Sequence, residues 1–231
     1  MRRNDLAQYD DLASQWWEPR GAFAMLHWIA KERAALVPPP AHEGELLVDV
    51  ACGGGLLAPH LPAGYRHIGV DLVEAGLRTA RLHGVTPVRA DATGLPFAER
   101  SAEVVVAGEV LEHVPDPLAV VRECLRVLKP GGTFVLDTIA RTRQARLVAV
   151  TIAERLPGLA PKGIHDPALF VDRAALKAEC ARLGVVLQMQ GLRPAPLDYL
   201  AWLARRRSDV RLRRTRSTAV LFQASGIKET A

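Results

Sequence analysis

Five short apolar runs punctuate the first 140 residues, with helical spacing between them. Leu46-Leu47-Val48-Asp49-Val50 is apolar at even and odd positions alike, the pattern of a strand covered on both faces. His67-Ile68-Gly69-Val70-Asp71, Pro87-Val88-Arg89-Ala90-Asp91, Glu103 to Gly108 and Thr133 to Asp137 repeat the type. Before the fifth run, Asp116 stands as an N-cap with Pro117 at the first helical position. Leu118, Val121, Leu125 and Leu128 then recur at helical spacing until Pro130-Gly131-Gly132 ends the element. Downstream, Asp172 to Gly184 predicts a helix, Val185 to Gln190 a strand and Ser217 to Ala224 a final strand. Alternation of strand and helix predicts an α/β fold, a Rossmann-like, doubly wound sheet of seven strands.

Residues Leu6 to Val37 are helical in pattern, contain Trp16, Trp17 and Trp28, and end at Pro38-Pro39-Pro40, a stiff connection into the first strand. The expected organisation is an N-terminal helical cap over 1–40 and one catalytic domain over 41–231, with a lid-like insertion at about 141–170. The chain has 231 residues, 49% of them hydrophobic, enough for one sizeable core. Its longest apolar stretches fall short of the roughly 20 residues that span a bilayer. Met1-Arg2-Arg3-Asn4-Asp5 leads into acidic and aromatic residues instead of the apolar core of a secretory signal, so a cytoplasmic location is expected. Cys52, Cys124 and Cys180 are too few and too widely spaced for a disulfide framework or a compact zinc site. The formal charge of +5 is compatible with nucleic acid or an anionic membrane surface and selects neither.

Chemistry enters at Asp49-Val50-Ala51-Cys52-Gly53-Gly54-Gly55, a strand-to-helix turn whose glycines permit positive φ and close approach of a ligand. Read from Gly53, the turn also satisfies the dinucleotide pattern G-x-G-x-x-A. Charge separates the two readings. Asp49 repels a pyrophosphate and attracts the ammonium and sulfonium of S-adenosylmethionine. Asp71 closes the second strand, where a carboxylate accepts from ribose hydroxyls, and Asp91 with Ala92 closes the third, beside the expected adenine. Each acid alone reads equally as a turn or helix cap; together they converge on one crevice.

The order Val-Asp-Val-Ala-Cys-Gly-Gly-Gly, Gly69-Val70-Asp71, Asp91-Ala92 and Leu128-Lys129-Pro130-Gly131-Gly132 resembles the class I S-adenosylmethionine-dependent methyltransferases. Trp16-Trp17, Glu109 through Pro117, and Pro161-Lys162-Gly163-Ile164-His165-Asp166 followed by Phe170 resemble, more narrowly, the ubiquinone-biosynthesis O-methyltransferase family. Ala51 departs from that family's usual glycine, a substitution expected to be tolerated where the residue's φ is negative. The last forty residues show no clear match. Cofactor contacts are expected from Asp49, Ala51, Cys52, Gly53, Gly55, Asp71, Leu72, Asp91, Ala92 and Glu109.

The resemblance implies O-methylation of a phenolic or catecholic small molecule, a quinone precursor or a polyketide-type natural product. Glu109, Glu112 and His113 then fall beside the sulfonium, and two readings stay open. They hold a divalent ion, Mg or Zn, that lowers a hydroxyl pKa, or they form a structural turn. His113 is the leading candidate for the general base and His165 the second, with Asp166 orienting His165 or capping the next helix. Arg141, Arg143 and Arg146 followed by Leu147 to Ala153 read either as a membrane-interface segment admitting a lipid-tailed substrate or as a lid. Arg205 to Arg216 reads as a solvated basic face; with aromatic content of 5% and no amino-methylation motif, a nucleic-acid partner is not expected. C- or N-methylation of another small molecule, an NAD(P)-dependent dehydrogenase and a non-catalytic binding module are the remaining alternatives.

Overall fold

Buried apolar strands pair side by side because only a ladder satisfies their backbone groups, and in the computed structural model they form one sheet. Residues 3–230 are described; Met1 and Arg2 of the expected cap, and Ala231, lie outside the described residues. Strands β1 (Glu45–Val50), β2 (Tyr65–Asp71), β3 (Thr86–Arg89), β4 (Ala102–Gly108) and β5 (Leu128–Ile139) run parallel. Beyond them come β6 (Gln188–Pro194), β7 (Leu212–Thr215) and β8 (Leu221–Ile227). The order is β3-β2-β1-β4-β5-β8-β6-β7, with β8 antiparallel to both β5 and β6. Val48 of β1 lies between Ile68 and Val105, so the sheet reverses direction of winding at β1/β4, where open α/β folds bind ligands.

The sheet has eight strands rather than the expected seven. The addition is β7, an edge strand in the arginine-rich stretch, where Leu212-Arg213-Arg214-Thr215 offers no apolar alternation to read. Its charges suit an edge that must not pair further. The next two strands inward start about three or four residues later than predicted, β6 at Gln188 and β8 at Leu221. Their register comes from pairing with each other, Gly191 opposite Phe222 and Thr215 at once, and not from local pattern.

One face of the sheet is covered by α4 (Pro117–Val127) and α6 (Arg173–Arg182), whose Val121, Leu125, Leu176 and Cys180 pack with Val48, Val50 and Val105. Asp116 and Asp172 cap these helices through side-chain oxygens that accept from Ala119 N and from Ala174 N and Ala175 N. Helix α3 (Glu74–Leu82) packs Leu77 and Ala80 against Cys52 and Val85. The other face is covered by the N-terminal region. Leu6 to Val37 is not one helix but α1 (Ala7–Asp11), a 3-10 turn at Ala13–Gln15 and α2 (Ala24–Ala34). Ala34 of α2 packs with Leu47, Val104, Val106 and Val135.

Arg33 of α2 carries this layer to the end of the sheet. Its Nε and Nη2 donate to Asp137 of β5 at 2.6 and 2.7 Å, and the carboxylate is fully buried. Gly108 is obligatory beneath it, because a Cβ there would stand 1.9 Å from the guanidinium carbon. A buried charge stripped of its partner costs about 3–5 kcal/mol, whereas replacing both charges by apolar groups is near neutral. Arg33→Met is therefore expected to lower stability by about 3–5 kcal/mol, and Arg33→Met combined with Asp137→Leu to recover most of it. Urea midpoints for the three proteins measure both.

Candidate active site

The glycine turn is shaped by contacts within the chain before any ligand enters. Ala51 lies at φ +59, in the left-handed region, so the negative φ under which alanine is readily tolerated is not met. The abrupt exit from β1 imposes the positive value, at a cost of roughly 1–2 kcal/mol for a residue with a Cβ. Trp16 lies directly on Gly53 and Gly54: a Cβ on either would come within 2.4 or 2.6 Å of its ring. Trp17 Nε1 donates to Gly54 O at 2.8 Å and its ring stacks on His83. A Cβ on Gly55 would meet Ala80 of α3 and Val85 instead.

Asp71 braces this turn. Its Oδ2 accepts from Gly53 N at 2.9 Å and its Oδ1 from Val73 N at 2.8 Å, and burial pushes its carboxyl up. Two accepted bonds leave lone pairs on both oxygens for a further donor. Asp49 is buried with Oδ2 3.3 Å from His67 Nε2. Asp91 is exposed at the rim, where its Oδ1 accepts from the backbone and hydroxyl of Thr93, which hold its carboxyl below the usual range. Cys52 is buried, which pushes its thiol well up and makes it a packing residue.

Past β4, Glu109 sits in the left-handed region at φ +50, its N–H donating to Asp137 O and Oδ1 at 3.0 and 3.1 Å. Its buried Oε1 has no hydrogen-bond partner among the described residues. Burial, then the nearby Glu112 and Asp137, push its carboxyl well above the ordinary range. Glu112 is fully buried under the floor, accepting from Thr138 Oγ1 at 2.7 Å, and burial raises it to about 7. His113 turns the other way, its Nδ1 2.6 Å from Asn4 Oδ1. The expected ligand trio of Glu109, Glu112 and His113 is thus not assembled. Among the described residues no group of three His, Cys, Asp or Glu side chains could hold a metal ion.

The two histidines do come together, with ring centroids 5.8 Å apart and planes 23° from parallel. Burial, then His165, lower His113 to about 3, so its ring is neutral across the physiological range. His165 is buried with Nδ1 3.6 Å from Glu154 Oε1, too long for a hydrogen bond. Glu154, and not the expected Asp166, is therefore its acidic neighbour, while Asp166 caps the turn through Ala168 N. Glu154 accepts from Arg3 Nη1 and Gly163 N, both at 2.9 Å, and is held down at about 2 despite its burial.

Asp49, Ala51, Cys52, Gly53, Asp71, Leu72, Asp91, Ala92, Glu109, His113 and His165 all line one cavity of about 460 Å³, within the range of small-molecule sites. Its other half is apolar, with Leu26, Ile29, Leu159 and Val220 among the walls. The insertion folds as α5 (Arg143–Ala145), a π-helix at Arg146–Ile152 and a 3-10 turn at Ala153–Arg155. It turns Val148, Ala149 and Ala153 into the cavity and leaves Leu147, Ile152 and Leu156 exposed. Arg33, Tyr9, Trp16 and Asn4 line the cavity as well and were not picked out as site residues by the sequence. Arg33 had a readable signal, an arginine with Ile29, Ala30 and Val37 on its helix face and no acid among them. In the basic stretch, Arg207, Arg211 and Arg214 pair with Asp209, Asp198 and Glu32 of the same chain.

Residues 48–136 match the family model of a methyltransferase domain. The chain is 36% identical over 199 residues to the ubiquinone biosynthesis O-methyltransferase of Bordetella bronchiseptica, covering 82% of each chain. It is 38% identical over 204 residues to that of Nitrosococcus oceani, covering 84% of this chain and 86% of the relative. Among solved structures, a Thermotoga maritima S-adenosylmethionine-dependent methyltransferase superposes with a TM-score of 0.64 at 18% identity, over 96% and 97% of the two chains. Magnesium protoporphyrin IX methyltransferase from Synechocystis, with bound S-adenosylhomocysteine, gives 0.63 at 15% identity over 97% and 95%. The superposable fold, the acid-lined glycine turn and these relatives agree: the chain belongs to the ubiquinone biosynthesis O-methyltransferase family and is an S-adenosylmethionine-dependent methyltransferase.

Proposed function

We propose that the enzyme methylates a hydroxyl on a phenolic or catecholic ring that carries an apolar substituent, as in a quinone precursor. The observation that carries this reading is the division of one cavity: carboxylates at the glycine-turn end, apolar walls at the other, and His113 between them. The acidic end fits the methyl donor. Asp49, Asp71 and Glu109 supply acceptors for its ammonium and ribose groups, Glu109 Oε1 being buried and unpaired. Arg33 is the one Lys or Arg side chain among the described residues that line the cavity. It is suited to a carboxylate, since only its Nε and Nη2 engage Asp137.

When bound, S-adenosylmethionine supplies an electrophilic methyl on a positively charged sulfur, a charge that the departing hydroxyl proton inherits as the methyl moves. His113 takes that proton. Its neutral ring offers a lone pair at any pH well above 3. His165, stacked beside it, helps hold the acceptor ring against the apolar wall. The insertion closes this chamber from above. We read its outward face, with Leu147, Ile152 and Leu156 beside Arg143, Arg146 and Arg155, as a surface that meets anionic lipid when an acceptor with an apolar tail is taken up.

With a labelled methyl donor and a panel of catechols, hydroxyquinols and polyketide phenols, turnover is expected on the hydroxylated rings. His113→Ala should lower kcat about a hundredfold or more without weakening donor binding; turnover by His113→Ala at the wild-type rate would overturn its role. Sedimentation with anionic liposomes should carry the protein down and leave Leu147→Glu/Ile152→Glu in the supernatant. Equal recovery of both in the supernatant contradicts the lipid contact. Glu112→Gln is expected to be no more stable than wild type at pH 4.5 and more stable at pH 8. The native carboxyl titrates at about 7 and the unfolded one near 4.5, so the native state binds more protons between those values and loses stability as pH rises through them. Thermal denaturation at the two pH values measures the difference.

A further inference from the structure

His113 is gripped by a residue 109 positions away in sequence. Asn4 precedes α1 and lies over the histidine in the left-handed region at φ +55, which asparagine tolerates well. Three contacts hold it: its backbone N donates to Gly163 O at 3.1 Å, its Nδ2 donates to His113 O at 2.8 Å, and its Oδ1 stands 2.6 Å from His113 Nδ1. Arg3 anchors the same segment, donating to Glu154 and, at 2.6 Å, to His165 O.

The carboxamide's orientation follows from its partners. A backbone carbonyl only accepts, so the amino end of Asn4 must face His113 O and the oxygen must face the ring. An oxygen 2.6 Å from a ring nitrogen requires a hydrogen between them, so Nδ1 is protonated. In a neutral imidazole Nε2 then bears the lone pair, and among the described residues it has no hydrogen-bond partner. Tyr9 meets the ring edge-on at 6.2 Å and His165 lies parallel at 5.8 Å with Glu154 and Arg3 behind it. Glu112 is directed to Thr138 from the same turn. None of these reaches Nδ1.

We propose that Asn4 is a positioning residue for methyl transfer: it fixes His113 as the Nδ1–H tautomer and so turns the lone pair of Nε2 toward the acceptor hydroxyl. The proposal rests on His113 being the base, and its test separates the two. Asn4→Gly deletes the carboxamide and accepts the left-handed backbone without strain. Asn4→Asp keeps an acceptor for Nδ1–H and adds a charge. Histidine labelled with nitrogen-15, with His113 assigned by its loss in His113→Gln, should show the Nδ1–H pattern in the wild type and in Asn4→Asp, and loss of that preference in Asn4→Gly. Asn4→Gly should lower kcat about tenfold or more with the donor KM unchanged. Asn4→Asp should move the acidic limb of the kcat profile to higher pH, since a carboxylate beside the ring favours imidazolium. An Nε2–H pattern in the wild type, or wild-type kcat in Asn4→Gly while His113→Gln is inactive, overturns the proposal. Full turnover by His113→Gln together with an Asn4-dependent tautomer instead overturns the base assignment and with it the catalytic role of Asn4.

Discussion

The ion pair between Arg33 and Asp137 is the constraint on which the site depends. It joins α2 to the end of β5, and neither charge has water to fall back on. Because the guanidinium lies across the end of β4, position 108 has room only for glycine. Because Asp137 also accepts from the N–H of Glu109, the chain leaving β4 is pulled into a left-handed turn. That turn aims Glu109 into the cavity and sends Glu112 beneath the floor. One buried contact thus ties the N-terminal layer to the residues around the reacting centre.

The parallel half of the sheet was legible because β1, β4 and β5 are buried on both faces, which leaves an uninterrupted apolar signature that no loop mimics. The caps of α4 and α6 were legible for the same local reason. The acids were legible as a set but not in their partners: Asp71 is spent first on Gly53 and Val73, and only its remaining lone pairs face a ligand. Ala51 shows the limit of residue-type reasoning, since its conformation is set by the exit from β1 and overrides the preference of a residue with a Cβ. What the sequence concealed is long-range. Asn4 and His113, or Trp16 and Gly53, are joined by folding and leave no period or spacing to detect.

Two glycines in the turn also change meaning. In a dinucleotide site, glycine makes room for a pyrophosphate; here the space above Gly53 and Gly54 is filled by the Trp16 ring. The turn is therefore selected as much by its own N-terminal segment as by the ligand. The Trp16-Trp17 pair, one resting on the glycines and the other donating to Gly54 O, reads as the lock between that segment and the cofactor end of the cavity.

Burial acts on the floor in opposite chemical directions with one electrostatic result. It raises Glu109 and Glu112, keeping protons on acids, and lowers His113, keeping a proton off a base. Each shift favours the uncharged form, because the surroundings are too poor in water to support isolated charge. A ligand bearing positive charge reverses this for the acids, since an ammonium or sulfonium beside Glu109 stabilises its carboxylate. A pyrophosphate would do the opposite and add to the repulsion from Asp49. Burial thus holds Glu109 and Glu112 toward their uncharged forms until a cation meets them, so the attraction for a sulfonium donor involves the buried cluster as well as Asp49.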